Sequence, residues 1–195
     1  MNLPNTLTLS RLGSAFLLMV LLTAGFPFSK TLALLVFALG GVTDFLDGHL
    51  ARNVYGVSAF GSLMDPVTDK VMVCAAFVSF VELQLVSAIV VVIIITREFL
   101  VTGLRLLALN RGKVLAAGRW GKHKTVWQIV GIVIILLGLA VRQDLIAGME
   151  PGWLDPYDRI FHYVAQGVSI GVALITLASG GIYLHQHRDL VLDSL

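Results

Sequence analysis

Charge is what this chain has least of. Asp, Glu, Lys and Arg make up 13% of its 195 residues and hydrophobic residues 57%, whereas a soluble domain carries roughly a quarter charged residues. With a mean hydropathy of +0.88, the composition is that of a polytopic membrane protein, not of an ordinary soluble globule. Cysteine is nearly absent. Cys74 stands alone in an apolar run, which rules out an internal disulfide and reads as core filler. Zinc spacings of Cys and His are missing, and so is a Walker-type glycine loop. No repeat, low-complexity tract or dividing linker stands out, so one domain over residues 1–195 is expected. No cleavable signal peptide is expected: Met1 to Arg11 is polar and turn-like, and no small-residue cleavage site follows the first apolar run. The net charge of +2 says little by itself, and no nucleic-acid partner is expected.

Long apolar runs are what the chain does have. They predict an all-α bundle of six membrane-spanning helices, near residues 9–24, 31–52, 61–81, 85–109, 125–141 and 160–184, with a short N-terminal interfacial segment before the first. Breaks are expected at Gly25-Phe26-Pro27, from Asn53 to Ser58, at Pro151-Gly152 and at Asp155-Pro156. The connection after the fourth span holds Arg111, Lys113, Arg119, Lys122 and Lys124 without an acid. On the opposite side, the stretch from Arg142 to Arg159 carries Asp144, Glu150, Asp155 and Asp158. The positive-inside rule then puts the basic connection, both termini and the 52–60 turn in the cytoplasm. Trp120, Trp127 and Trp153 suit the aromatic belts at the two membrane surfaces.

The few acids are unevenly spread. Of twelve in the chain, Asp44, Asp47, Asp65 and Asp69 fall between Thr43 and Lys70. Carboxylates near hydrocarbon are costly to keep ionised, and four together repel one another unless a cation offsets them. Residues three or four apart share a helix face. Asp44 and Asp47 therefore point one way with Gly48, Ala51 and Arg52, and Asp65 and Asp69 point together with Gly61. Oxygen-only donors suit Mg²⁺, Mn²⁺ or Ca²⁺, and a pair of such ions bridging phosphate oxygens stabilises a phosphoryl displacement. Simple capping also accounts for Asp65 before Pro66, and for Asp44 after Gly40-Gly41. It does not account for Asp47 or Asp69.

Written out, the stretch is D-x2-D-G-x2-A-R-x8-G-x3-D-x3-D, filled by Asp44, Asp47, Gly48, Ala51, Arg52, Gly61, Asp65 and Asp69. It resembles the signature of the CDP-alcohol phosphatidyltransferase family at all eight fixed positions. The resemblance implies a six-helix enzyme of the bacterial cytoplasmic membrane with its active site and both ends in the cytosol, commonly paired into homodimers. It implies that the four aspartates hold two divalent cations, Mg²⁺ or Mn²⁺, at the pyrophosphate of a CDP-linked lipid. Asp69 would also be the general base, and Asp47, Gly48, Ala51, Arg52 and Gly61 would line the CDP site.

Three further stretches narrow the expectation: Asn2–Arg11, Thr96–Ala108 and Gly118–Gln128. They are similar to bacterial members of the family that move the phosphatidyl group of CDP-diacylglycerol onto sn-glycerol 3-phosphate and release CMP. By that resemblance Thr8, Arg97, Arg105, Lys122 and Lys124 would form the acceptor-phosphate pocket, and guanidinium forks and lysine charges suit a phosphate dianion. Each has a plainer account as well. Lys122 and Lys124 also satisfy the positive-inside rule, Arg105 also fits a snorkelling cation, and Thr8 also fits an interfacial cap. Arg97 stands beside Glu98 as a candidate buried ion pair. The remaining alternatives are the same chemistry on serine, an inositol phosphate or phosphatidylglycerol, and a cation transporter whose aspartates form an ion path.

Overall fold

The computed structural model describes the backbone of residues 3–54, 59–110, 112, 119–146 and 154–188. It describes the side chains of residues 10–42, 70–109, 112, 121, 123–146 and 154–188. Six α-helices occur among them: α1 (Leu3–Thr23), α2 (Ser29–Val54), α3 (Ala59–Glu82), α4 (Ala88–Asn110), α5 (Arg119–Val141) and α6 (Leu154–Gln186). A π-helical turn, Arg142–Ile146, extends α5. No β-strand occurs among the described residues. Two helical stretches among them, His123–Ile146 and Leu154–Gln186, are long and apolar enough to cross a membrane, with mean hydropathies of 2.2 and 1.8. α4 has the length but carries Arg97, Glu98 and Arg105 along it.

Several boundaries differ from the expectation: α1, α5 and α6 each start six residues earlier than the apolar runs suggest, and proline accounts for two of the differences. The predicted separate N-terminal interfacial segment is no separate element: α1 runs unbroken from Leu3, with Pro4 in its first turn. Asp155-Pro156, expected to be a break, instead lies in the first turn of α6. The first backbone N–H groups of a helix have no partner inside it, so proline loses nothing there, and Asp155 complements the positive end of the helix dipole. The break at Gly25-Phe26-Pro27 is present between α1 and α2. α4 starts three residues later than expected because α3 ends in a left-handed cap at Gln84 (φ 56°). Leu85 N–H reaches back to Phe80 O at 2.9 Å, and Gln84 N–H to Val81 O at 2.9 Å, the bond pattern of a glycine-type terminus made here without glycine. The expected break from Asn53 to Ser58 starts two residues too early, since Asn53 and Val54 still belong to α2; residues 55–58, Pro151-Gly152, Arg111, Lys113 and Trp153 lie outside the described residues.

α1 packs on α2 and α3, α6 packs on α4 and α5, and α5 also touches α2 and α3. The core joins Leu18 and Leu22 of α1, Ala76, Phe77 and Phe80 of α3, Ile94 of α4 and Ile132, Ile135 and Leu136 of α5, all nearly inaccessible. Large apolar side chains also point outward, among them Phe16, Leu39, Ile89, Leu137 and Leu174. A perimeter of that kind is what a helix bundle presents to lipid. The α5–α6 seam is close. Val168 and Val172 lie over Gly131, the Phe161 ring fills the space where a side chain at Gly138 would go, and Tyr157 Oη donates to Gly138 O at 2.7 Å.

One end of the bundle is clasped by polar groups. Asp144 accepts from Phe28 N–H at 3.1 Å and from the Thr31 hydroxyl, placing a carboxylate at the N-terminus of α2. Gln143 Nε2 donates to Phe26 O at 2.5 Å. Lys30 Nζ donates to Leu22 O and Ala24 O, at 2.5 and 2.9 Å, satisfying carbonyls left open where α1 ends. Arg142 forks onto Asp158 at 2.5 and 2.7 Å. α2 leaves this clasp and travels about 22 Å along its axis before reaching position 44.

The seam yields a direct expectation. Gly138→Ala drives a methyl into the Phe161 ring, and thermal unfolding in detergent should show a loss of about 1–3 kcal/mol.

Candidate active site

The motif residues all lie on helices. Asp44, Asp47, Gly48, Ala51 and Arg52 are carried by α2, and Gly61, Asp65 and Asp69 by α3. The backbone is helical on both sides of the 55–58 connection, so the three- and four-residue spacings do place each set on one helical face. Their side chains lie outside the described residues, as do those of Thr8 on α1 and Lys122 on α5. The two motif helices touch just beyond the motif. Met72 Cε of α3 lies against Gly40 of α2, where a Cβ would come within 2.6 Å of it. Position 44 is one turn beyond Gly40, and position 69 is one turn before Met72.

The basic residues come together more fully than their spacing required. Arg97, mid-way along α4, donates from one terminal nitrogen to Glu98 Oε1 at 3.3 Å and from the other to Ser179 Oγ of α6 at 2.6 Å. Its aliphatic stem lies over Gly180, with Cγ 2.9 Å from where a Cβ would stand. Lys124 of α5 donates to the same Glu98 Oε1. Both Glu98 (8% exposed) and Lys124 (3%) are buried. Lys124 is not a lysine merely reaching lipid head groups; it belongs to a buried charge cluster. Two cations share one carboxylate. Lys70 of α3, the residue after Asp69, adds a further like charge within electrostatic reach of Lys124.

Arg105 lies two turns along the same face of α4. Its Nε is 3.4 Å from Tyr183 Oη and its guanidinium carbon 5.5 Å from the Tyr183 ring centroid. It does not join the Glu98 cluster. Three buried polar atoms on these helices have no partner among the described residues: Arg97 Nε itself, Gln128 Nε2 and Thr176 Oγ1. Gln128 is one turn past Lys124 on α5, and Thr176 is one turn before Ser179-Gly180 on α6. Ser179, Gly180, Tyr183, Gln128 and Thr176 went unmarked in the sequence. The small pair Ser179-Gly180 inside a long apolar helix was the available signal for a close approach there.

The arrangement places fixed positive charge, held by α4 and α5, beside the α3 helix that carries Asp65 and Asp69. A site of that kind suits an anionic substrate group. Comparison with known proteins agrees. The chain matches the CDP-alcohol phosphatidyltransferase family model over residues 1–177. It is 37% identical over 148 residues to a Bacillus subtilis protein, covering 70% of this chain and 77% of that one. It is 36% identical over 138 residues to a Rickettsia bellii protein, covering 70% and 76%. Against a Haemophilus influenzae protein it is 42% identical over 110 residues, covering 54% and 58%. All three relatives carry the name CDP-diacylglycerol–glycerol-3-phosphate 3-phosphatidyltransferase.

Gly180 provides a test of how Arg97 is seated. A valine there displaces the arginine stem and breaks its bonds to Ser179 and Glu98. The expected result for Gly180→Val is a stability loss of about 1–3 kcal/mol in thermal unfolding, larger than for valine at Gly181, which has open space beside it.

Proposed function

This chain belongs to the CDP-alcohol phosphatidyltransferase family, and from that premise we propose that it transfers the phosphatidyl group of CDP-diacylglycerol to sn-glycerol 3-phosphate. The products are phosphatidylglycerol phosphate and CMP. The observation that carries the choice of acceptor is the buried meeting of Arg97 and Lys124 on a single carboxylate. Among the described residues two fixed cations meet one anion, and the positive charge left over suits a phosphorylated acceptor and penalises a neutral one. The names of the relatives support the same acceptor.

In this reading Thr8, Arg97, Arg105, Lys122 and Lys124 bind the acceptor phosphate. Asp69 takes the proton of the acceptor hydroxyl. The oxygen so freed attacks the lipid-side phosphorus, the bond from that phosphorus to the bridging oxygen of the pyrophosphate breaks, and CMP departs with the electron pair. Asp47, Gly48, Ala51, Arg52 and Gly61 line the CDP end, where residues with little side chain admit a bulky ligand to the backbone.

The family uses divalent metals, and the donor set fits them: four carboxylates on two helices, with oxygen donors alone. The Gly40–Met72 contact supports a shared site, because the antiparallel register it sets, if continued toward the 55–58 connection, would bring position 44 near the level of 69 and 47 near that of 65. Asp44, Asp47, Asp65 and Asp69 would hold two Mg²⁺ or Mn²⁺ ions. When bound, the ions supply neutralisation of charge developing on the pyrophosphate. The excess of Lys and Arg between α4 and α5 supports a cytoplasmic active site and cytoplasmic termini in a six-span, single-domain protein of the bacterial cytoplasmic membrane. Pairing into a homodimer is part of the same proposal.

Purified protein given CDP-diacylglycerol, glycerol 3-phosphate and Mn²⁺ or Mg²⁺ should release CMP, stop on chelation and resume when metal is returned. Asp69→Asn should lower the rate by roughly 10²–10⁴-fold, the usual worth of a general base. Serine and inositol should yield no CMP. Release with a neutral acceptor but none with glycerol 3-phosphate rejects the assignment.

A further inference from the structure

Glu98 has no part in the chemistry just described, yet among the described residues it is the buried carboxylate on which two cations meet. Its Oε1 accepts from Arg97 of α4 and from Lys124 of α5. Without it, two desolvated cations would face each other with no anion to hold them, and the flexible lysine stem would swing its ammonium away. Arg97 is pinned from a second direction by Ser179, and its stem is seated over Gly180. Both ends of the guanidinium are thereby fixed, while its Nε is buried and has no acceptor among the described residues. A fork held so firmly with a donor left open is a receptor waiting for an oxygen.

We propose that Glu98 is a positioning residue that, together with Ser179, holds Arg97 and Lys124 as a preformed seat for a phosphate group. The inference rests on the reading of Arg97 and Lys124 as the acceptor-phosphate site, and adds to it what keeps that site assembled. Glu98 does not touch the phosphate. It fixes the two cations at a constant separation, so the acceptor does not have to order them on arrival. Glu98→Gln keeps the shape and one acceptor oxygen but removes the anion. Lys124 then loses its counter-ion, and the seat loosens although both cations remain.

Two measurements test this together. The first is steady-state CMP release for wild type, Glu98→Gln and Ser179→Ala. KM for glycerol 3-phosphate should rise about tenfold or more in Glu98→Gln and about threefold in Ser179→Ala, with KM for CDP-diacylglycerol unchanged. The second is calorimetric titration of inorganic phosphate into the same proteins in detergent, where affinity should fall in the same order without turnover being needed. An unchanged or lower acceptor KM in Glu98→Gln overturns the proposal, and so does a rise in both KM values in parallel with a fall in thermal stability. Where Glu98→Gln does not fold, Ser179→Ala decides by the same criterion. A wild type that binds phosphate in a Glu98-dependent way yet releases no CMP would sink the enzymatic assignment and leave the seat standing.

Discussion

One carboxylate organises the polar interior. In a bundle whose surroundings offer little water, a buried charge persists only where an opposite charge and hydrogen bonds meet it. Glu98 meets Arg97 within its own helix and Lys124 across the α4–α5 contact, and Arg97 passes the linkage to Ser179 on α6. Three helices are thus tied through four side chains. A slip of one residue in any of them turns its side chains by about 100° and breaks the set. Apolar packing alone is forgiving of such slips, because one branched side chain substitutes well for another. The charge cluster is not forgiving, so it specifies the register of α4, α5 and α6.

Much of this was legible before any coordinates. Six apolar runs foretold the helices within a few residues, because hydrophobic length is a local property. At Asp155-Pro156 proline was read as a breaker when its place in a first turn made it harmless, and the polar segment expected before the first span is continuous with α1. Gln84 ended α3 in a conformation usually left to glycine, and nothing in its side chain announced that. The faces bearing Asp44 and Asp47, and Asp65 and Asp69, follow from spacing arithmetic once the segments are helical. The pairing of Arg97 with Glu98 was foreseeable from adjacency. That Lys124 is the third member, and that Ser179 and Gly180 receive Arg97 from 82 residues away, was not. Periodicity says which side of a helix is apolar; it does not say which helix will stand opposite.

The two ends of the bundle are built on different principles. At the clasped end Asp144, Gln143, Lys30 and Arg142 spend themselves on helix termini and on a facing carboxylate, and their roles close among neighbours. Away from the clasp, α4 and α5 bring two cations to one anion among the described residues, and polar atoms of Arg97, Gln128 and Thr176 find no partner among them. Satisfied polar groups give rigidity, while unsatisfied ones are tolerated where a protein keeps capacity for something else. α2 and α3 connect the two regimes, since each is anchored in the apolar core before reaching the aspartates.

The glycine seam between α5 and α6 has its own consequence for traffic. Where a single methyl at Gly138 finds no room beside Phe161, a hydrocarbon tail cannot thread between the helices. Those two rods act as a sealed wall along that length. Any molecule that reaches the interior sideways from the bilayer must therefore pass through another gap between helices, and the doorway for a two-tailed guest lies elsewhere on the circumference.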